Sequence, residues 1–187
     1  MFNKRLTDCV KDIIKENIGV GDVVVDATMG NGNDTHFLAQ LVGKEGQVYS
    51  FDIQEEAIKS TKNKLLQTAL DQQVLLIKDS HANMKAYIKE PVKAYMYNLG
   101  YLPNGDKNII TQKETTLFSI KEALDLLAPN GVISILSYYG HKGGLEEKEG
   151  LEALINNLDS KKYNGIAIET RNKRNCPILY LIYNKSV

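Results

Sequence analysis

DVVVDATMGNGND, Asp22–Asp34, is the stretch on which the fold of this 187-residue chain turns. Three valines between two aspartates make a short β-branched run, the composition of a strand buried on both faces. Gly30 and Gly32 interrupt it, and glycine lets backbone approach a ligand closely or take positive φ. Helical spacing then runs from about Asp34 to Val42. A buried strand, a glycine turn and a helix make the opening half of a parallel βαβ unit.

The alternation continues in both directions. Leu6, Val10, Ile13, Ile14 and Ile18 recur at helical spacing ahead of the first strand, with Thr7 the expected N-cap. Beyond it, Gln47–Ile53 reads as strand, Gln54–Ala69 as helix and Gln73–Ile77 as strand. His81–Ile88 is a short helix and Val92–Tyr97 the next strand. Lys113–Leu127 is a helix stopped by Pro129-Asn130-Gly131, followed by a strand over Gly131–Tyr138 and a helix over Leu145–Leu158. Gly165–Thr170 and Ile178–Tyr183 close the chain as an antiparallel hairpin. The expected fold is α/β: one domain over residues 1–187, a Rossmann-like, doubly wound, mostly parallel seven-stranded sheet with that C-terminal hairpin on one edge. Ligands of such a sheet bind beyond the carboxyl ends of its strands, where strand order reverses.

Composition narrows the class. Lys and Arg number 23, as do Asp and Glu, so a globally basic nucleic-acid surface is excluded, though a local basic patch is not. Cys9 and Cys176 have no metal spacing and suit a reducing interior. The N-terminal MFNKRLTDCVKDIIKENI is mixed and helical, without the apolar run of a signal peptide, and no stretch approaches the roughly 20 apolar residues of a membrane span. The expectation is a cytoplasmic protein with no metal site and no membrane partner.

Chemistry concentrates at the strand ends. The first ends in DATMGNGND, Asp26–Asp34, before a helix whose N-terminus presents free N–H groups. The second ends in Asp52, twenty residues after Gly32, placed to accept hydrogen bonds from ribose hydroxyls. Together they point to a nucleoside-containing cofactor. A dinucleotide fingerprint would need a third glycine where Thr35 stands. Asp26, at the close of the strand, would repel a pyrophosphate but suit a cation, and S-adenosylmethionine is a sulfonium without phosphate. The pattern resembles motif I of the class I methyltransferases, D/ExGxGxG, with Thr28 in place of the first glycine. Asp79-Ser80-His81, after the third strand, falls where that family commonly grips the adenine.

After the fourth strand comes YNLGYLPNGDK, Tyr97–Lys107, whose Asn98-Leu99-Gly100-Tyr101 resembles the [D/N]PPY motif of amino-group methyltransferases without its prolines. In those enzymes the Asn or Asp orients the target amine and the aromatic stacks on a flat substrate. In-line displacement needs such alignment of nitrogen, methyl and sulfur.

DATMGNGNDT, FDIQ, DSH, NLGYLPNGDK, SYYGHKGG and CPILYLIY together resemble, nearly end to end, the bacterial YtqB/MnmM family, whose members also carry an rRNA methylase label. The resemblance implies methyl transfer from S-adenosylmethionine to the amine of 5-aminomethyl-(2-thio)uridine at the tRNA wobble position. It implies cofactor contacts from Asp26, Thr28, Gly30, Asn31, Gly32, Asn33, Asp34, Thr35, Asp52, Ile53, Gln54, Asp79, Ser80, His81 and Asn98. Asn98 and Tyr101 are the expected catalytic pair, with Asp106 or His81 taking the amine's proton. Lys107, and His141-Lys142-Gly143-Gly144 ahead of a helix, are candidate contacts to RNA phosphate. So are Arg171 and Arg174, in a cluster with Lys161, Lys162 and Lys173 near the terminal hairpin. The expected partner is the tRNA anticodon stem-loop, with a second copy in a homodimer an option. An rRNA or small-molecule amine methyltransferase, and a non-catalytic adenosylmethionine-binding protein, remain open alternatives.

Overall fold

The structure is a computed structural model that describes residues 5–100, 110–172 and 176–186. Its strands are β1 (Val23–Asp26), β2 (Gln47–Asp52), β3 (Val74–Lys78), β4 (Val92–Leu99), β5 (Leu127–Ser137), β6 (Tyr163–Ile168) and β7 (Ile178–Asn184). Its helices are α1 (Leu6–Asn17), α2 (Asn33–Val42), α3 (Glu55–Thr68), α4 (Met84–Tyr87), α5 (Lys113–Leu126) and α6 (Gly144–Asn156). The strands form one sheet in the order β3-β2-β1-β4-β5-β7-β6. The pairings from β3 to β5 are parallel, whereas β7 runs antiparallel to both β5 and β6. This is the fold of the class I methyltransferases, and strand order reverses between β1 and β4.

Two cores explain the layering. Val10 and Ile14 of α1, Leu38 and Val42 of α2 and Leu65 of α3 pack on one face of the sheet against Val24, Val48, Ala94 and Met96. Met84 of α4, Ile120 and Ala123 of α5 and Leu151 of α6 cover the other face, against Val25, Phe51, Tyr95 and Tyr97. Side chains alternate along a strand, so both faces of β1 and β4 are apolar and their sequences read as continuous runs. Each fully buried Ile or Leu contributes about 1.5–3 kcal/mol relative to exposure.

Three local expectations change. Thr7 is not the N-cap of α1: that position is Arg5, with no side-chain cap, and Thr7 lies within the first turn. Pro129-Asn130-Gly131 does not stand outside the sheet after a helix stop. Leu127 already pairs with Val92 and Val132 with Ala94, so the turn is an irregularity inside β5. Gly131 is required there, because a Cβ would sit 2.8 Å from the Ala128 carbonyl and 3.0 Å from that of Lys93. Finally, β4 runs on through Asn98, which pairs with Leu136, instead of ending at Tyr97. Long-range pairing carries the strand past residues whose composition reads as loop.

Candidate functional site

The carboxyl ends of β1, β2 and β4 converge on the Ala27–Gly32 turn, which is held from every side. Asp26 is buried; its Oδ1 accepts from the Thr28 N–H at 3.1 Å and its Oδ2 from the Thr35 hydroxyl at 2.6 Å. Asp52 Oδ2 accepts from the Gly30 N–H at 3.0 Å while Oδ1 accepts from the Gln54 N–H at 2.9 Å. The Thr61 hydroxyl of α3 donates to the Gly30 carbonyl at 3.2 Å. Gly32, φ 70°, N-caps α2, and a Cβ there would strike the Thr61 side chain at 2.6–2.9 Å. The two glycines therefore serve different needs: one a carbonyl and an N–H within reach of β2 and α3, the other close packing.

Burial, then the charge of Asp34, pushes the Asp26 carboxyl above the usual carboxylate range despite its bonds to Thr35 and Thr28. A group bound more tightly to its proton when folded adds stability at low pH and loses it as pH rises from the ordinary carboxylate range toward neutrality. An Asn at this position keeps the acceptor for Thr28 and can donate to Thr35, which also bonds Ser50 at 2.7 Å. Thermal melts of Asp26→Asn should accordingly show a shallower fall between about pH 4 and 7 than those of the native chain. An identical pH dependence would show that Asp26 carries no such linkage.

Along the rim, Ile53 is 54% exposed beside Asp52, leaving an apolar surface next to free carboxylate lone pairs. Asp79 accepts from the Ser80 N–H, the Asn83 amide and the Tyr87 hydroxyl. Partial desolvation opposes ionisation, but these three donors together hold it below the ordinary range. Ser80 caps the short turn that begins at His81. His81 lies edge-on to Tyr97, with Nδ1 3.1 Å from the Ala27 carbonyl. Burial lowers its pKa, so the ring is neutral, Nδ1–H donates to Ala27, and the buried Nε2 is left as an acceptor without a partner.

Asn98 is exposed at the end of β4, its N–H donating to the Thr28 hydroxyl at 2.7 Å. Thr28, in place of a motif glycine, thus ties the β1 turn to β4. Sharing the sheet face of Ala94 and Met96, the Asn98 side chain points toward α2 and lowers the Asp34 pKa. Both line a cavity of about 600 Å³ together with Asn33, Lys11 of α1, Phe37 of α2 and Lys64 of α3. Asn33 accepts from Lys64 Nζ at 2.5 Å. Of the expected cofactor contacts, Asn33 and Asp34 therefore stand on this α1–α2 side, apart from Asp52, Asp79 and His81. Sequence reading did not assign Lys11 or Lys64 to a site; the one local signal was the polar i, i+4 pair Thr7 and Lys11 flanking the buried stripe of α1.

Two residues past Asn98, Gly100 is clamped. Its carbonyl accepts from the Thr111 N–H at 2.9 Å, and its N–H donates to the Thr111 hydroxyl at 3.0 Å. That hydroxyl donates to Glu147, which also accepts from Thr116 at 2.6 Å. Glu147 lies in the first turn of α6 with Glu146, so that N-terminus already carries carboxylates beside His141-Lys142-Gly143-Gly144. Lys142 and Gly143 are exposed, Gly144 is buried, and His141 keeps a buried Nε2 without a partner. Tyr101, Asp106, Lys107 and Arg174 lie outside the described residues.

The basic cluster divides. Tyr163 pairs with Asn184, whereas Ile178, at the start of β7, pairs with Ser137 at the end of β5. Lys161 and Lys162 therefore sit at the amino edge of the parallel strands and Arg171 at the carboxyl edge, about 20 Å away along a six-residue strand. Arg171 is exposed and bonded to Glu169 at 2.8 Å. Charges close in sequence are separated because a hairpin strand carries the chain across the sheet.

A sequence profile of the family described as "Putative rRNA methylase" matches residues 48–184. Over 97% of its length the chain is 36% identical to the chloroplastic tRNA (mnm(5)s(2)U34)-methyltransferase of Arabidopsis thaliana, covering 70% of that protein. A solved structure from Clostridium thermocellum, bearing the same description as the profile, superposes with a TM-score of 0.95 at 47% identity, covering 97% of this chain and 98% of that one. SMU.1697c of Streptococcus mutans, solved in complex with SAH, gives 0.89 at 36% identity, with 97% and 98% covered.

Proposed function

The chain belongs to the rRNA methylase family, and on that premise we propose that it is an S-adenosylmethionine-dependent tRNA methyltransferase. Its substrate is the amine of 5-aminomethyl-(2-thio)uridine at the wobble position, and its product 5-methylaminomethyl-(2-thio)uridine. The observation that supports this reading most is Asn98, exposed at the switch point and tied to the β1 turn through Thr28. The relative from Arabidopsis, similar over almost the whole chain, names the substrate class.

The donor set fits the cofactor. S-adenosylmethionine, when bound, supplies a methyl group activated by a sulfonium. Asp52 has lone pairs beyond those taken by Gly30 and Gln54 to receive ribose hydroxyls, and exposed Ile53 offers an apolar face to adenine. Asp79 and Ser80 border the adenine end, and the buried His81 Nε2, without a partner among the described residues, is an acceptor available to a ligand donor. Gly30, Asn31 and Gly32 form the wall, which Asp26, Thr28 and Thr35 brace from beneath. Asn98 orients the amine nitrogen, and Tyr101 stacks on the uracil.

For RNA, we propose contacts from Lys107, His141-Lys142-Gly143-Gly144, Arg171 and Arg174 to the anticodon stem-loop, all of which follow β4, β5 or β6 in the chain. Arg171→Glu should weaken tRNA binding and reduce the salt slope by about 1, with cofactor affinity unchanged. Filter-binding isotherms from 50 to 200 mM salt check this; an unaltered slope would return Arg171 to a solvated surface. Among the described residues no helix is long and apolar enough to cross a membrane. We place the protein in the cytoplasm as one catalytic domain. Exposed Phe118 of α5 and Leu145 of α6 offer apolar surface for a homodimer, which sedimentation equilibrium would reveal.

The deciding experiment incubates the protein with S-adenosylmethionine and tRNA that carries the unmethylated aminomethyl group. Nucleoside mass spectrometry should show a gain of one methyl on the wobble uridine. No gain there, with methylation of ribosomal RNA or a free amine instead, would reject the assignment.

A further inference from the structure

We propose that Asp34, in the cavity between α1 and α2, is the carboxylate that receives the substrate's ammonium and removes its proton before methyl transfer. The inference rests on the amine-methyltransferase reading and names a proton acceptor in place of His81; Asp106, the other expected acceptor, lies outside the described residues. An alkylamine with a pKa near that of lysine, about 10.4, is almost wholly protonated at neutral pH and has no lone pair to attack with.

Geometry separates the candidates. Asn98 presents its side chain on the α2 face of the sheet, where it lines the same cavity as Asp34. His81 lies against Tyr97, whose side chain belongs to the opposite core. A nitrogen held by Asn98 is thus beside Asp34 and across the sheet from His81. An Asn98 amide that turns its NH₂ toward the Asp34 carboxylate leaves its carbonyl oxygen free to accept from the amine.

Asp34 is already matched to an ammonium. Lys11 Nζ stands 3.8 Å away with its side chain 37% exposed, so a cation occupies this position and can be displaced toward solvent. The Lys11 side chain also lies over the Phe37 ring at 5.4 Å, an alternative seat at the cavity wall. Groups facing Asp34 come from every neighbouring element: Lys11 from α1, with Asp8 also in the cavity, Lys64 from α3, buried Asp26 from β1 and Tyr138 after β5. His36 of α2 lines the same cavity, its pKa lowered by desolvation and the two lysines. Desolvation raises the Asp34 carboxyl above its ordinary range, with Lys11, Asn98 and Lys64 opposing, which makes it a better proton acceptor than a solvated aspartate.

The step balances. The ammonium gives one proton to Asp34. The neutral nitrogen then attacks the methyl carbon, the N–C bond forming as the S–C bond breaks with its electron pair left on sulfur. The product is a dialkylammonium and an uncharged thioether, and Asp34 returns its proton to solvent through the cavity.

Rates on aminomethyl-bearing tRNA should be measured from pH 7 to 9 for the native chain, Asp34→Asn and Asp34→Glu, with calorimetry for S-adenosylmethionine and a melt for each. The native rate should be flat over this range. Asp34→Asn should be about 100-fold slower at pH 7 and recover about tenfold per pH unit, as solution supplies the free amine. Asp34→Glu should retain at least tenfold more activity than Asp34→Asn at pH 7. Equal rates, a deficit constant with pH, or lost cofactor affinity in a folded Asp34→Asn would each overturn the proposal. If Asp34→Asn does not fold, a native rate rising tenfold per pH unit would overturn it equally. A native chain inactive on this tRNA would instead reject the substrate reading itself.

Discussion

Replacing Asn98 by Ala should lower turnover on aminomethyl-bearing tRNA about 100-fold or more while leaving affinity for S-adenosylmethionine nearly unchanged. The side chain is exposed, and the bond that joins β4 to the β1 turn uses the Asn98 backbone N–H, which the substitution keeps. What disappears is the amide proposed to accept from the amine, which lines the cavity beside Asp34. The reacting nitrogen then samples orientations outside the near-attack range, and misplacement by about 1 Å costs on the order of 10²-fold. Steady-state kinetics with calorimetry separates the two quantities. Full activity would remove the orienting role and leave Asn98 as a strand end.

The second large effect falls on the cofactor. Asp52→Ala should weaken S-adenosylmethionine binding by about 1.5–3 kcal/mol, the range for hydrogen bonds to a charged group. That is roughly 10- to 150-fold in Kd. Two causes act together, because the same carboxylate that would receive ribose hydroxyls also holds the Gly30 and Gln54 N–H groups. Removing it loosens the turn as well as the ligand contact. Asp52→Asn, with one oxygen and a donor in place of the second, should fall between. Calorimetric affinity unchanged in Asp52→Ala would mean the motif assignment is wrong, as would tight binding of a nicotinamide dinucleotide by the native chain.

Sequence alone determined the layer architecture and pointed to the strand ends where candidate site residues stand. Valine-rich Val23–Asp26, the glycines after it and Asp52 twenty residues later are local signals, each set by backbone sterics or by burial on both sheet faces. The antiparallel hairpin was legible too, since two strand-like runs stood too close for a crossover helix. Only the tertiary structure decided which of these residues share a cavity. Asn98 meets Asp34 because β4 extends one pleat beyond its apolar run, and alternation then turns the side chain toward α2. Lys11 and Lys64 join them from helices 53 residues apart in the chain, a contact that no local pattern encodes. Conversely, Arg171 and Lys161 are near in sequence and far apart in space, because a whole strand of the sheet lies between them. Local composition specifies what an element is; pairing register and packing specify what it faces, and in this protein they decide what stands beside Asn98.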